Sequence, residues 1–403
     1  MDSVRRPFDG LKVIDCASFI AAPAAATILS DFGADVLKIE PLEGDPHRAL
    51  YRLPGLAATE RNYPWELDAR NKRSVAIDLK RPEGLDVLYR LTRGADVFLT
   101  NLPLAARARL RIDHESIRAL NPRLVYASFT AYGETGPEAD KSGFDSTAYW
   151  ARSGLMDIVR PDHSTPPARS AAGMGDHPCG VTLFAAIVTA LYDRQRTGVG
   201  GLVSSSLMAN GLWANSFLVQ GHLSGATVPP RVPREQAPNA LGNTYRCRDG
   251  RWLNMALINE ERQFEPMLEV LGIAEAATDP RFATAPARGV HHAELVALMD
   301  RQFAQRDLAD WRVRLDRAAI TFSVVATLSD IDDDVQMRAA GALVPFADGS
   351  GLTVSSPFEI AGTPKVAPRA APDIGQHTAA VMHAEGFSDA EIARLRELGV
   401  IAG

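Results

Sequence analysis

The sequence predicts an α/β protein in which a doubly wound, mostly parallel sheet forms a large domain, together with a smaller α+β domain. Short apolar strands alternate with helices over roughly the first 130 residues, which is the pattern of βαβ units in such a sheet. The chain has 403 residues, enough for a large α/β domain and a second lobe. Its texture changes after Val228, where Pro229, Pro230, Pro233 and Pro238 mark a linker.

The first βαβ unit is expected within residues 11–39. Residues 11–14 form a short apolar strand, residues 24–32 a helix of mostly small side chains, and residues 36–39 the next strand. Gly33-Ala34-Asp35 ends the helix, because glycine readily adopts the backbone conformations that stop one. Strand, helix and strand in this order indicate a parallel pair, which needs a crossover connection.

A second unit follows in the same pattern. Residues 74–79 are predicted as a strand, residues 82–93 as a helix and residues 97–100 as a strand, with a further strand at 124–129 after Asn121-Pro122. No Gly-x-Gly-x-x-Gly opens the first helix, and no Walker-type Gly-Lys-Ser/Thr occurs, so nothing supports NAD or ATP binding. A nicotinamide oxidoreductase, which the fold class alone allows, is therefore a remote alternative.

The predicted domain organisation is discontinuous. Residues 1–225 form the large domain, residues 226–329 the linker and small domain, and residues 330–403 return to the large one. The small domain is expected to contain a strand pair around Asp249-Gly250 and helices at 261–271 and 293–306. Residues 341–357 are turn-rich and strand-like. Ser388, followed three residues later by Glu391, is a capping box that predicts a helix over 388–398.

The composition excludes several classes of protein. The chain is 46% hydrophobic and 23% charged, as soluble globular proteins are, and its net charge of −6 gives no electrostatic case for nucleic acid or an anionic membrane. Cys16, Cys179 and Cys247 lie far apart, which excludes a disulfide framework and a thiolate zinc site. No apolar run follows Arg5-Arg6, and none reaches the ~20 residues of a membrane span. We expect a cytoplasmic protein without a metal, nucleic-acid or membrane partner.

The strongest candidate for a reactive side chain is Asp176, in Ala172-Gly173-Met174-Gly175-Asp176-His177-Pro178. The glycines let backbone approach a ligand, and Pro178 is tolerated in the first turn of a helix because it needs no N–H there. Residues 181–192 are apolar and predict a buried helix, whose positive end favours an anion. The position alone is compatible with a helix cap or with a nucleophile or base.

Several short segments stand in one order along nearly the whole chain. They are Leu11-Lys12-Val13-Ile14-Asp15, Phe32-Gly33-Ala34-Asp35-Val36-Leu37-Lys38-Ile39-Glu40 with Gly44-Asp45 and Arg48, Asn71-Lys72-Arg73-Ser74 with Asp78-Leu79-Lys80, Asn121-Pro122-Arg123, Tyr132-Gly133 with Gly136-Pro137, Arg196-Thr197-Gly198, Gly375-Gln376-His377-Thr378 and Gly386-Phe387-Ser388. In this order they resemble the family III coenzyme A transferases, the group that includes formyl-CoA transferase, carnitine CoA-transferase and α-methylacyl-CoA racemase.

The resemblance implies a fold and a chemistry. Members have a Rossmann-like large domain and a small domain joined by long linkers, and two ring-shaped chains form an interlocked homodimer. Asp176 matches the acid that attacks an acyl-CoA carbonyl to give an aspartyl anhydride, after which CoA forms an aspartyl-CoA thioester and passes to an acceptor acid. The CoA thioester is thus a substrate, and no permanently bound cofactor is expected. Backbone N–H groups beside Gly175 and Gly180 are the expected oxyanion donors.

The resemblance also implies where CoA binds. The residues that match its contacts are Ser18, Ala21, Ile77, Asp78, Leu79, Lys80, Asn101 and Arg109. Ser18 and Ala21 fall where pantetheine passes the first turn, while Lys80 and Arg109 suit the phosphates because cations pair with them. Lys80 at a strand edge and Arg109 on a basic helix face are equally compatible with simple solvation.

The chain departs from the family pattern at positions that bear on the substrate. Pro41 stands where formyl-CoA transferase has a phosphate-binding Arg, so another cation, such as Arg48, is expected to serve. Ile20 replaces a polar Gln that helps formyl-CoA transferase handle very small acids. Together with Phe19 and Tyr149, Ile20 predicts a larger, less polar acyl group than formate or oxalate.

Two rival functions remain open. The racemase branch uses the same acid as a base with a His that precedes Asp145, but Phe144 occupies that place here and cannot carry a proton, which favours a transferase. A non-catalytic subunit of a heteromeric transferase would be expected to lack the acid, yet Asp176 is present.

Overall fold

A computed structural model describes residues 5–403. Residues 1–4, which precede Arg5-Arg6 in the segment where no leader is predicted, lie outside the described residues. The chain divides into two compact units. The larger comprises the residues up to Met156, Arg169–Ala226 and Gln336–Gly403, and the smaller comprises Asp157–Ala168 and Thr227–Val335.

A mostly parallel sheet forms the centre of the larger unit. The strands of the described residues are β1 (Lys12–Asp15), β2 (Asp35–Glu40), β3 (Arg73–Ile77), β4 (Val97–Thr100), β5 (Val125–Thr130), β6 (Leu202–Ser206), β7 (Thr244–Arg246), β8 (Trp252–Met255), β9 (Phe322–Val324), β10 (Leu343–Pro345), β11 (Leu352–Val354) and β12 (Ile401–Ala402). The order in the central sheet is β12-β3-β2-β1-β4-β5-β6, with β12 alone antiparallel to its neighbour. Strand order reverses beside β1, the place where doubly wound sheets bind ligands.

Helices follow most strands. They are α1 (Ala21–Asp31), α2 (Tyr63–Ala69), α3 (Pro82–Arg93), α4 (Leu104–Arg109), α5 (His114–Leu120), α6 (Leu155–Ile158), α7 (Asp176–Thr197), α8 (Leu207–Ala214), α9 (Ser216–Leu223), α10 (Glu260–Leu271), α11 (Ala285–Val290), α12 (His292–Phe303), α13 (Leu308–Arg317), α14 (Leu328–Ile331), α15 (Val335–Ala339), α16 (Thr378–Ala384) and α17 (Asp389–Glu397). Short 3₁₀ turns span Pro46–Arg52, Arg234–Gln236 and Ala274–Thr278, and a π-helical segment spans Asp145–Ala151. Among the described residues, no helix is both long and apolar enough to cross a membrane.

Helices cover both faces of the central sheet. Successive residues of a strand point to opposite faces, and apolar residues on each face need a covering layer. Val13 packs with α1 and α7, whereas its neighbour Ile14 packs with α3, α5, α16 and α17. The two cores together make a doubly wound α/β architecture, in which the sheet is buried on both faces.

The contact between α1 and α7 fixes the start of α7. Every residue of α1 is buried. A Cβ added at Gly180 would lie 2.7 Å from the Cβ of Ala24 and 3.0 Å from the carbonyl oxygen of Ala21. The small side chains of α1 and the missing side chain at Gly180 therefore let the two helices approach closely.

The smaller unit has its own core. Strands β7, β8 and β9 form an antiparallel sheet, and α10, α12 and α13 contribute the apolar side chains packed with it. Tyr245 stacks on Phe303 with ring centroids 4.8 Å apart, and the Trp311 indole N–H donates to the Phe303 carbonyl at 2.8 Å.

The compact units differ from the predicted domain bounds at Ala226, which falls in the larger unit, and in two longer segments. Residues 157–168, assigned above to the large domain, belong to the smaller unit, because His163 N–H donates to the Arg231 carbonyl at 3.0 Å and Arg231 donates to the Ile158 carbonyl at 2.8 Å. Residues 330–335 also belong to the smaller unit, where Asp330 accepts a hydrogen bond from Arg251 at 2.7 Å.

Individual elements differ from prediction mainly at their ends. Helix α1 begins at Ala21 rather than at residue 24, because Pro23 is tolerated in a first turn. Strand β6 was not predicted, since its serines lack an apolar pattern, yet it pairs in parallel with β5. The capping box of Ser388 and Glu391 is confirmed at the start of α17.

Candidate active site

Asp176 is the first residue of α7, and its carboxylate takes no part in building the helix. The N-cap is Gly175, and no side chain caps this end, so the capping alternative for Asp176 is wrong. Within residues 5–403, no group donates a hydrogen bond to the partly buried Asp176 carboxylate. The structure thus presents an unbonded carboxylate at the positive end of a 22-residue helix.

Asp145, the first residue of the π-helical segment, braces the loop before Asp176. Each of its carboxylate oxygens lies 3.2 Å from the Gly175 nitrogen, so this N–H is not free to be the predicted oxyanion donor. A Cβ at Gly175 would lie 2.3 Å from Asp145 Oδ1 and 2.5 Å from Tyr149 Cγ, which explains the glycine. Tyr149 is buried beneath this loop and does not offer an open aromatic surface to an acyl group.

His177 is bonded through both ring nitrogens. Its Nδ1 lies 3.0 Å from the Gly173 carbonyl oxygen, and its Nε2 lies 3.1 Å from Asp68 Oδ1. Both partners only accept hydrogen bonds, so this geometry fits a ring in which both nitrogens donate, which is an imidazolium. On the far side of Asp68, His47 Nε2 lies 3.2 Å from Oδ2 and donates to the Pro64 carbonyl at 3.1 Å.

These neighbours set the charge state of the site. Burial and the nearby charge of Asp145 raise the pKa of Asp176 to about 7, against the opposing charge of His177. Burial alone would lower the pKa of His177, but the hydrogen bond and charge of Asp68 outweigh it and raise the pKa to about 9. Burial would raise the pKa of Asp68, but the hydrogen bond from His177 and the close approach of His47 to Oδ2 instead hold it well below its usual range.

The turn after β1 carries Ser18 and Phe19 in a strained conformation. Phe19 has φ +61°, a left-handed backbone that is rare for a bulky side chain. The turn is held by the Asn101 amide, which accepts from Ser18 N–H at 2.8 Å and donates to the Ser18 carbonyl at 2.7 Å. Asp45 Oδ1 also accepts from Ser18 Oγ at 2.7 Å. Such strain persists only where surrounding bonds over-determine it.

A buried charge cluster of Lys38, Asp45, Asp15 and Lys72 lies under this turn. Lys38 Nζ is 2.6 Å from Asp45 Oδ2 and 3.9 Å from Asp15 Oδ1, and it also donates to the Ala17 carbonyl. Lys72 Nζ lies 2.8 Å from Asp15 Oδ2. Burial opposes the charge of Lys38, but Asp45 and Asp15 raise its pKa above the usual range. All four groups are therefore compensated within the cluster.

A cleft of about 360 Å³ opens where β1, β2 and β3 end. Its lining residues are Cys16, Ala17, Ser18, Ile39, Glu40, Pro41, Leu42, Glu43, Asp45, Pro46, Ile77, Asp78, Leu79, Lys80, Leu102 and Leu110. The structure thus brings Ser18, Ile77, Asp78, Leu79 and Lys80 together around one cleft. Lys80 is exposed, and its ammonium group has no ion-pair partner among the described residues.

The other predicted CoA residues lie outside the lining of this cleft. Ala21 is the buried first residue of α1, and the Asn101 side chain is hydrogen-bonded to the Ser18 backbone. Arg109 is exposed at the end of α4 without an ion pair among the described residues. Arg48 is not available for a phosphate, because it binds Glu40 through two hydrogen bonds of 2.8 and 2.7 Å and lies over Trp65.

An aromatic pair stands next to the Asp176 loop. The rings of Phe19 and Phe144 meet edge to face with centroids 5.9 Å apart, and 59% of Phe144 is exposed. Phe144 precedes Asp145, which binds the loop, and Ile20, which follows Phe19, has its Cδ1 3.7 Å from the Cβ position of Gly173. Phe19 and Phe144 therefore flank the loop that carries the carboxylate.

A model of CoA-transferase family III matches residues 8–378. The chain belongs to CoA-transferase family III. It is 33% identical to the (R)-2-hydroxy-4-methylpentanoate CoA-transferase of Clostridioides difficile over 98% of this chain and 99% of that protein. It is 30% identical to the cinnamoyl-CoA:phenyllactate CoA-transferase of Clostridium sporogenes over 98% of both. The crystal structure of a CaiB/BaiF family protein from Brucella suis superposes with a TM-score of 0.84 at 29% identity, covering 94% of this chain and all of that one.

As a family III CoA-transferase, the chain is an acyl-CoA:carboxylate CoA-transferase. Its mixed α/β fold with a mostly parallel central sheet is the fold of the Brucella suis protein. The Asp176 loop and the cleft at the strand ends both lie in the larger unit of this family fold.

Sequence reasoning missed the residues that surround the carboxylate. Asp68 and His47 were not singled out, and Asp145 was considered only as a landmark beside Phe144. Asp68 lies 109 residues before His177, so no local spacing links them. The one available signal was Asp45-Pro46-His47 beside Gly44, since Asp before Pro marks a helix start and Asp45 indeed accepts from the His47 N–H.

Proposed function

We propose that this enzyme moves CoA from an acyl-CoA thioester to a carboxylic acid through covalent intermediates on Asp176. The carboxylate attacks the thioester carbonyl and the C–S bond breaks. CoA leaves as a thiolate, and the acyl group remains on Asp176 as a mixed anhydride. The thiolate attacks the aspartyl carbonyl and releases the donor acid, which leaves an aspartyl-CoA thioester. The acceptor carboxylate attacks that thioester to form a second anhydride, and the thiolate then takes the new acyl group and restores Asp176.

The observation that carries this proposal is the unbonded carboxylate of Asp176 itself. A carboxylate that accepts several hydrogen bonds is stabilised and is a poorer nucleophile, whereas Asp176 accepts none among the described residues. Its pKa, raised to about 7 by burial and Asp145, keeps the group more basic than an ordinary aspartate while still partly ionised at neutral pH. Placement at the start of α7 supports a negatively charged reacting centre.

We propose that CoA lies along the cleft, with its phosphates toward Lys80 and Arg109. The support is chemical. Ile77 and Leu79 supply apolar surface for an adenine, and Lys80 is an exposed cation on the same cleft. Ser18 also lines the cleft, and the next residue, Phe19, contacts Phe144 beside the Asp176 loop. Ala21 and Asn101 act in this proposal by packing and by holding Ser18 rather than by direct contact.

Replacing the two cations tests the placement of CoA. We expect Lys80→Ala and Arg109→Ala each to raise KM about 10-fold for every CoA thioester with little change in kcat, because a charge-assisted phosphate contact contributes ~1.5–3 kcal/mol far from the reacting carbonyl. Steady-state kinetics with three acyl-CoA donors measures this, with Arg118→Ala, an exposed cation on α5, as the matched control. An effect confined to one donor would place the two residues in the acyl pocket instead.

We propose further that the acids exchanged carry an apolar side chain. Relatives of equal identity do not decide this, since one acts on succinate and glutarate by its name and another on phenyllactate. The support comes from Phe19 and the exposed Phe144 next to the Asp176 loop, which offer apolar contact, whereas Ile20 is buried. Branched or aromatic 2-hydroxy acids, such as those in the names of two relatives, would fit beside these apolar side chains.

Truncating Phe144 tests the acid class. We expect Phe144→Ala to lower kcat/KM about 10-fold for 2-hydroxy-4-methylpentanoate and phenyllactate, because lost apolar contact of this size is worth ~1–3 kcal/mol, but to change lactate little. Mass spectrometry of CoA exchange between acyl-CoA and acid pairs measures it, with succinate and oxalate as polar competitors. Equal losses for lactate and the larger acids, or a preference for the dicarboxylic acids, would refute the apolar assignment.

The racemase alternative is separated by the same reaction run in deuterated water. Phe144 cannot carry a proton, so a 2-methylacyl-CoA is expected to keep its α-hydrogen when no acceptor acid is present. Deuterium incorporation at turnover rates, seen by proton NMR, would favour the racemase alternative. CoA transfer without a partner chain of another sequence would likewise exclude the non-catalytic subunit.

The interlocked homodimer implied by the resemblance is also part of the proposal. Its support in the larger unit is the apolar surface of α8 and α9, where Trp213 is 80% and Phe217 89% exposed. Exposed aromatic side chains of this size on neighbouring helices are typical of surfaces that another chain covers.

A further inference from the structure

Two further carboxylates act on Asp176 besides its own group. Asp145 and Asp68 act on it from the π-helical segment and from α2, and both raise its pKa. Carboxylates that act on one another in a largely buried place repel unless a cation compensates them. Lys38 and Lys72 are already bound to Asp45 and Asp15.

His177 is the cation that faces this group. It follows Asp176 in the chain, and its two ring nitrogens donate to Gly173 and Asp68 at 3.0 and 3.1 Å. A neutral imidazole has one donor and one acceptor nitrogen, and neither arrangement satisfies a carbonyl and a carboxylate together. These two bonds therefore select the protonated ring.

Asp68 supplies the bond that makes this selection. Its side chain is 96% buried, and it stands between His177 on Oδ1 and His47 on Oδ2. His47 is itself buried, and its Nδ1 has no hydrogen-bond partner among the described residues. Since Asp68 makes no other ion pair in the described chain, its contacts are directed at the two histidines.

We propose that Asp68 is a positioning residue for CoA transfer: it holds His177 as an imidazolium with both N–H groups donating, and this cation stabilises the carboxylate form of Asp176. The link to catalysis rests on the proposed role of Asp176 as nucleophile. The charge coupling among Asp68, His177 and Asp176 does not depend on that role.

The proposal makes the pH profile of the reaction a readout of the network. The groups that face Asp176 are Asp145, His177, Asp68 and His47. The reactive form has Asp176 ionised and His177 protonated, so kcat/KM should rise with pH through about 7 and fall through about 9. Removing the imidazolium charge should move the rising limb to higher pH.

His177→Gln and Asp68→Asn, made singly and together, change different limbs of the profile, which a purely structural role would not do. His177→Gln removes the cation and should raise the midpoint of the rising limb by about one pH unit and abolish the falling limb near 9. Asp68→Asn, made with His177 present, should move the falling limb from about 9 toward neutral pH, because the ring then loses its proton there. Asp68→Asn added to His177→Gln has no such limb to move and should only lower the midpoint of the rising limb, since only a negative charge is then removed.

The experiment measures kcat/KM against pH for the four proteins, together with the histidine titrations by NMR. The signal of His177, assigned by its loss in His177→Gln, should titrate near 9 in the unmodified protein and about two units lower in Asp68→Asn. His291→Gln, which removes a histidine paired with Glu294 at 2.8 Å in the smaller unit, is the matched control and should leave the profile unchanged.

Each outcome decides. An unchanged His177 titration in Asp68→Asn, or a falling limb that stays near 9 in that variant, would overturn the proposal. If Asp68→Asn does not fold, His177→Lys replaces it, because retaining the positive charge should keep the limb at its original pH while His177→Gln moves it; equal profiles for the two would refute the role of charge. Asp176→Asn that still transfers CoA would refute the proposed function, while the NMR titration would still test the network.

Discussion

We expect Asp176→Asn to lower kcat for CoA transfer by at least about 10³-fold, the largest effect on activity of any single substitution in this chain. The amide has nearly the same shape as the carboxylate but cannot attack a thioester to form an anhydride. Because the carboxylate accepts no hydrogen bond among the described residues, little structure depends on it. Initial rates of acid-dependent CoA exchange measure the loss, and turnover within about tenfold of the unmodified enzyme would contradict the covalent role.

Thermal unfolding of the same variant is its control. The pKa of Asp176 rises from an ordinary 3.8 to about 7 on folding, so the folded state loses stability progressively as pH rises from about 4 to about 7, and the full loss persists above pH 7. Asp176→Asn should therefore be more stable than the unmodified protein at pH 8, by at most about 4 kcal/mol, and the gain should vanish as pH falls toward 4. An inactive variant that is also less stable at pH 8 would indicate damage to the fold rather than loss of the nucleophile.

The largest expected effect on stability comes from Lys38→Met. This substitution leaves Asp45 buried without the ammonium group that lies 2.6 Å from it, while Asp15 keeps Lys72 at 2.8 Å. Breaking a buried ion pair from one side typically costs ~3–5 kcal/mol, because a charge remains uncompensated. Chemical denaturation measures the free energy of unfolding, and we expect a loss in that range. Asp45 also holds Ser18, so CoA transfer should fall as well.

Arg73→Met provides the matched control for this loss. Arg73 binds Asp35 at 2.5 Å with the same pairing of cation and carboxylate, but the two side chains are 35% and 40% exposed. Solvent screens such a pair, and its removal should cost no more than about 1 kcal/mol. Equal losses of unfolding free energy in Lys38→Met and Arg73→Met would show that burial does not make the Lys38 ion pair more important for stability.

The fold was accessible from sequence because its signals are local. Each of β1, β2, β4 and β5 is a short apolar run, and the helices between them carry stop signals such as Gly33. Strand β6 was missed because an edge strand of serines is defined by its partner β5 rather than by its own pattern. Residues 157–168 were misplaced for a similar reason, since hydrogen bonds to Arg231 and not their composition tie them to the smaller unit.

The site was accessible only in part, for the same physical reason. Asp176 stands in a local glycine and proline setting that restricts its conformation, so the segment itself points to it. Asp68 meets His177 across 109 residues, and Asn101 meets Ser18 across 83. Such pairs are created by the order of strands in the sheet. The sequence also suggested Arg48 as a phosphate ligand, but two hydrogen bonds bind this cation to Glu40.

The most direct test of the account is mass spectrometry of the enzyme incubated with an acyl-CoA alone. We expect a CoA thioester on the peptide that contains Asp176, a hydroxamate at the same residue after hydroxylamine, and discharge of the adduct as new acyl-CoA when an acceptor acid is added. Neither product should form in Asp176→Asn. Rapid CoA transfer with no adduct at any time, or an adduct on another residue, would contradict the central role of Asp176.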